Sequence, residues 1–108
     1  MTVDYSKVVI FVTCSSEEEA EKIVSTLMDR HLVACGNVIP KVTSIFRWEG
    51  EVCREGEVLV ILKSQKSLLD KIVLTVKEHH SYQVPEVIAV PIVGGSEDYL
   101  KWVDAETR

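Results

Sequence analysis

Residues 58–62 read Val58-Leu59-Val60-Ile61-Leu62, five apolar side chains in a row that end at Lys63. Successive side chains of a strand point to opposite faces, so this run makes a strand apolar on both sides. Upstream, Trp48-Glu49-Gly50-Glu51 is a turn signal. Val33 to Glu49 alternates loosely and is interrupted at Gly36 and Pro40. The two stretches make a long antiparallel hairpin. Farther upstream, Ala20, Ile23, Val24, Leu27, Met28 and His31 fall three and four apart, one helical stripe. Ser15/Glu18 or Ser16/Glu19 is placed to form a capping box for that helix. Val8-Val9-Ile10-Phe11-Val12 precedes it as a second strand of the same apolar kind.

Downstream the pattern repeats. Ser67 and Asp70 open a helix striped by Leu69, Ile72, Val73, Val76 and then His79 or His80. Pro85 disfavours the α conformation at Val84 and keeps that helix from running on. Val87 to Val93 is a final apolar strand. Gly94-Gly95 breaks the chain, and Ser96 caps a short helix containing Tyr99, Leu100, Trp102 and Val103. The order is β-α-β-β-α-β plus a C-terminal helix, a ferredoxin-like sandwich of the α+β class. With 108 residues, it is expected to be a single domain over 1–108.

Two helices cover one face of a four-stranded sheet, yet the strands are apolar on both. Monomers rarely leave large apolar patches in water, so a homo-oligomer built through the sheet is expected. Hairpin length points the same way. Roughly seventeen residues from Val33 to Glu49 at ~3.3 Å each span ~50 Å, against a radius of gyration near ~13 Å for a domain this size. The hairpin must bend at Gly36 or Pro40, or reach a neighbouring subunit.

The chain is 46% hydrophobic and 27% charged, which is globular composition. Its net charge of −5, with no run of Lys or Arg, argues against a nucleic-acid partner. Cys14, Cys35 and Cys53 lack CxxC spacing and read as reduced thiols. Residues 1–5 show no signal-peptide pattern and no apolar run approaches ~18 residues, so a cytoplasmic, membrane-free location is expected.

Polar chemistry concentrates in His79-His80-Ser81-Tyr82-Gln83-Val84-Pro85-Glu86, at a helix-to-strand junction. Adjacent histidines on a helix point about 100° apart and do not chelate one ion together. They either end the helix, where an imidazolium offsets the dipole, or His80 joins ligands from elsewhere, Glu86 among them. Glu86 is an edge charge or a carboxylate facing a pocket. Lys63 is a snorkelling strand end or a site cation. Trp48 packs at a subunit contact or stacks on a ligand. Cys14 lies near a helix N-terminus, a position that lowers thiol pKa, but no local signature pairs it with a base.

Several of these stretches together resemble the CutA family of divalent-cation tolerance proteins. They are Val12-Thr13 with Ser16-Glu17-Glu18-Glu19-Ala20, Leu32-Val33-Ala34-Cys35-Gly36-Asn37 with Pro40, and Ser44, Trp48 and Gly50. They continue with Glu57, Ile61-Leu62-Lys63-Ser64, the string His80 to Val87, and Gly95 with Tyr99-Leu100-Lys101-Trp102. Gln83, where Glu is frequent, and Cys14-Ser15, where a Thr–Pro-like pair is common, depart from the family pattern. The resemblance implies a trimer similar to the PII signal-transduction proteins and a part in the response to divalent metals, notably copper. It implies no enzyme and no required cofactor beyond Cu(II) or another divalent cation as ligand. By position it makes His80 and Glu86 the metal ligands and puts Trp48, Lys63 and Tyr82 in clefts between subunits. The alternative is a PII-like regulator whose inter-subunit cleft holds a small anionic ligand, with charge from Lys63.

Overall fold

The computed structural model describes residues 5–108; the remainder of the N-terminal segment read for a targeting signal, residues 1–4, lies outside it. Strand β1 (Lys7–Cys14) leads to helix α1 (Glu17–Asp29), followed by the hairpin of β2 (Cys35–Trp48) and β3 (Glu51–Gln65). A 3-10 turn at Lys66–Leu68 leads into α2 (Leu69–His79), then β4 (Val87–Pro91) and α3 (Glu97–Glu106). The sheet is antiparallel with order β2-β3-β1-β4, the ferredoxin-like topology.

The core forms where strand alternation meets helical stripes. Val8, Ile10, Val12 and Cys14 of β1 and Val58, Val60 and Leu62 of β3 face Ala20, Ile23 and Leu27 of α1 and Ile72 and Val76 of α2. Met28 is exposed, and His31 follows the helix in the left-handed region, so the α1 stripe stops at Leu27. Ser16 caps α1 by accepting from the Glu19 N–H at 3.1 Å, whereas α2 has no side-chain cap. Gly36 packs against α1: a Cβ there would lie 2.7 Å from Val24 Cγ1 and 3.2 Å from Leu62 Cδ2.

The sheet face turned away from α1 and α2, its outer face, is covered only at one end. There α3 buries Val103, Lys7 pairs with Asp104 at 3.0 Å, and Gln65 Nε2 donates to Thr107 O at 2.9 Å. Over β4 this face is apolar and open, with Ile88 54% and Val90 43% exposed. The third helix was expected, but its place on this face was not. No helix among the described residues is long and apolar enough to cross a membrane.

The hairpin runs out to a two-residue turn, Glu49-Gly50, with positive φ at both positions (50° and 82°). That geometry matches the twist of a tight hairpin and explains the glycine. The bend expected at Gly36 or Pro40 falls at Pro40-Lys41. Ile39 pairs with Leu59 but Val42 pairs with Glu57, so two residues of β2 stand opposite Val58 alone, and Lys41 has φ 63°. This β-bulge inverts the alternation along β2. Cys35, Asn37 and Ile39 share the outer face with Lys63, Ile61 and Leu59; beyond the bulge Val42, Ser44, Phe46 and Trp48 take that side with Glu57, Glu55, Cys53 and Glu51. The hairpin accounts for the elongated 43 × 35 × 23 Å shape and a radius of gyration of 14.6 Å.

Candidate functional site

Between the outer arm of the hairpin and the loop 81–86 lies a groove of about 900 Å³. Its apolar wall is Ile45, Phe46, Trp48 and Val84; its polar wall is Glu55, Glu57, Tyr82 and Glu86, with Cys53 between. No lysine, arginine or histidine lines it among the described residues. The groove exists because the bulge turns Ser44, Phe46 and Trp48 toward the side from which Glu55 and Glu57 rise.

The loop is fixed from beneath. His79 is the last helical residue and His80 is already extended (φ −93°, ψ 141°), so the 100° spacing expected of two helical neighbours does not apply to this pair. The completely buried His80 imidazole reaches the end of β1, where Nε2 donates to Thr13 O at 2.7 Å. Its Nδ1 accepts from the Tyr82 N–H at 3.0 Å. The Tyr82 ring packs at a tilt of 52° against the same imidazole, 4.7 Å between centroids, and its Oη donates to Glu57 Oε2 at 2.7 Å. Burial, then the Glu57 hydrogen bond, pushes the Tyr82 phenol pKa up, so it stays a donor.

Glu19 secures the other side. Its carboxylate accepts from the Ser81 N–H at 2.9 Å and the Ser15 N–H at 3.2 Å, with Oε1 3.8 Å from His80 Nδ1. It is a capping residue, as the sequence suggests, but its bonds go to Ser15 and across the fold to Ser81 rather than back to Ser16. Burial raises its pKa; the bonds from Ser81 and Ser15 and the nearby His80 outweigh this and hold it below the ordinary value. Cys14 completes the cluster, with one ligand atom each from Cys14, Glu19 and His80 lying within 4.8 Å of one another. The lowered thiol pKa expected from the helix N-terminus is corrected here. Burial, then Glu19 and Glu57, pushes the Cys14 thiol up to about 12.

The residues singled out from sequence therefore divide. Trp48, Tyr82 and Glu86 come together at the groove. His80 sits behind it with both ring nitrogens engaged, so an ion takes Nδ1 only by displacing the Tyr82 N–H. Lys63 lies elsewhere on the outer face, opposite Cys35 and hydrogen-bonded to Asn37. Sequence reasoning gave no site role to Glu55, Glu19 or the buried Glu57. The available signal was a glutamate at 57 set directly against the apolar run.

The CutA1 divalent ion tolerance protein model matches residues 8–106. The chloroplastic protein CutA of Arabidopsis thaliana is 41% identical over 101 residues, 94% of this chain and 56% of that protein. The divalent-cation tolerance protein CutA of Thermus thermophilus is 40% identical over 92% of this chain and 96% of its own length. The chain thus spans just over half of the plant relative and nearly all of the bacterial one. Among solved structures, Oryza sativa CutA1 superposes with a TM-score of 0.93 at 39% identity, covering 96% of this chain and 95% of that one. The Archaeoglobus fulgidus protein, described as periplasmic, gives 0.92 at 34% identity, covering 94% and 99%. Chloroplastic and periplasmic relatives correct the expectation of a cytoplasmic location, since likeness to these proteins does not put the chain in the cytoplasm. Matched over residues 8–106 and superposing almost end to end on solved members, the chain belongs to the CutA1 divalent ion tolerance family.

Proposed function

We propose that the chain works as a homotrimer, PII-like in architecture, that takes up divalent cations in the acidic groove once a neighbouring subunit covers its open side. The observation that carries this is the groove's charge: Glu55, Glu57 and Glu86 line it with no cationic side chain among the described residues. Glu86 and its two neighbours would supply oxygen ligands, and His80 would support them through Tyr82. The exposed apolar side chains of β4 on the outer face, Ile88 and Val90, support subunit packing. Copper is favoured because Cu(II) stands highest among first-row divalent ions for nitrogen and oxygen ligands.

A second reading is favoured by the Cys14–Glu19–His80 cluster, a mixed S, O and N ligand set. An ion there would have to displace the thiol proton and the Tyr82 N–H. The anionic-ligand alternative loses support, because Lys63 stands away from the groove. Binding rather than catalysis fits His80, whose two nitrogens are committed to the fold and not to a reacting group.

Calorimetry with Cu(II) alone tests the assignment. Glu55→Gln/Glu86→Gln is expected to weaken binding and Cys14→Ala to leave it unchanged. The reverse result moves the ion to the Cys14 cluster, and no change in either variant removes both readings. Sedimentation at micromolar concentration checks the trimer, and a stable monomer would sink it.

A further inference from the structure

The groove is larger and more apolar than a single ion requires. At about 900 Å³ it has the size of a cavity for a small organic molecule, whereas one water takes up only ~30 Å³. Its apolar wall stands open, since Phe46, Trp48 and Val84 are all exposed. Sheet register sets this wall against carboxylates. Ser44 faces Glu55 and Phe46 faces Cys53, so Phe46 is the diagonal neighbour of Glu55. Such neighbours lie ~7–8 Å apart across an antiparallel pair, so an aromatic face and a carboxylate are one small molecule's length from each other.

Glu57 gives a second, independent observation. It lines the groove at only 8% exposure and takes part in none of the ion pairs among the described residues. Its donor is the neutral Tyr82 hydroxyl. Buried charges are normally paired with an opposite charge, and no cationic side chain lines the groove among the described residues. We propose that the groove takes up an organic ammonium ion with an apolar body, a primary amine of the alkyl or arylalkyl class. Its ammonium N–H groups donate to Glu57, Glu55 and Glu86. Its body lies on Trp48, Phe46 and Val84, where the aromatic faces also attract the cation. A neutral or anionic ligand leaves the carboxylates unpaired, and a bare metal ion leaves the apolar wall in water. This inference rests on the acidic groove of the cation reading and needs no metal.

The test is titration of the full chain with hexylammonium at neutral pH, with a chelator present to keep it metal-free. Calorimetry follows the unaltered chain, and fluorescence follows Trp102→Phe, in which Trp48 is the remaining tryptophan. Saturable binding with a shift in Trp48 emission is expected. Methylammonium, which lacks the body, and hexanol, which lacks the charge, are each expected to bind at least about tenfold more weakly at the same ionic strength. Glu55→Gln/Glu86→Gln and Trp48→Ala are each expected to weaken hexylammonium by about tenfold. No saturable binding to the unaltered chain, or equal binding of hexylammonium and either control, would overturn the proposal without any variant. Unchanged affinity in both variants would place the amine outside the groove and overturn it as well. Because no metal enters this titration, its failure leaves the Cu(II) result standing, and a failure of Cu(II) to bind leaves the amine result standing.

Discussion

The Tyr82 hydroxyl donates to Glu57 Oε2 across 2.7 Å, tying the loop 81–86 to the strand that floors the groove. Glu57 is only 8% exposed, and a carboxylate that far from water needs a donor. The bond therefore holds the loop and keeps a charge in place at the same time.

Tyr82→Phe is expected to cost about 1–3 kcal/mol, because a hydrogen bond to a charged acceptor disappears and the carboxylate stays behind. Urea denaturation at fixed protein concentration measures it. A loss below a few tenths of a kcal/mol would mean that Glu57 is solvated by other means.

Glu19 sets an acid limit on the same loop. Its pKa is lower in the fold than in the unfolded chain, so its contribution is complete above the unfolded value, near ~4.3. That contribution drains away as pH falls through the lower folded value. Glu19→Gln should lower stability at neutral pH and flatten the acid side of the stability profile. Parallel profiles for the two proteins would show that Glu19 is not the titrating group.

His80 is expected to carry its proton on Nε2, since Thr13 O accepts there and the Tyr82 N–H occupies Nδ1. Long-range proton–nitrogen correlation reads the tautomer directly, and a signal from protonated Nδ1 would contradict the arrangement. Replacing His80 by Ala removes both partners and should cost about 1–3 kcal/mol per buried group left unpaired.

Gly36→Ala places a methyl 2.7 Å from Val24 Cγ1, with Leu62 close behind. The expected loss is about 1–3 kcal/mol from forced repacking of α1 against the sheet. Val24→Ala in the same chain should return part of it. Failure of that rescue would place the strain in the backbone.

Much of the fold was legible because its signals are local. The runs at 8–12 and 58–62, the stripe through Ala20, Ile23 and Leu27, and Pro85 each carry their own instruction. The site was less legible because it depends on pairing between distant segments. Trp48 and Glu86 reach one groove only after β2 is set against β3 and the loop against β1. His80 looked like an available ligand because sequence names an imidazole but not the Thr13 carbonyl and Tyr82 amide that occupy it. Lys63 could be numbered but not placed, since its partner Cys35 is defined by sheet register alone.

The one surplus residue between Ile39 and Val42 makes the hairpin a two-part element whose halves are phased independently. Deleting it would leave the inner pairing of Cys35 with Lys63 untouched and rotate the outer arm by one pleat. Arg47 and Ile45 would then exchange sides with Trp48 and Phe46, and the groove would acquire a cation where it now has an indole. The charge that the groove presents is thus set partly by a residue count, so length variation at 40–41 can alter it with no substitution elsewhere in the chain.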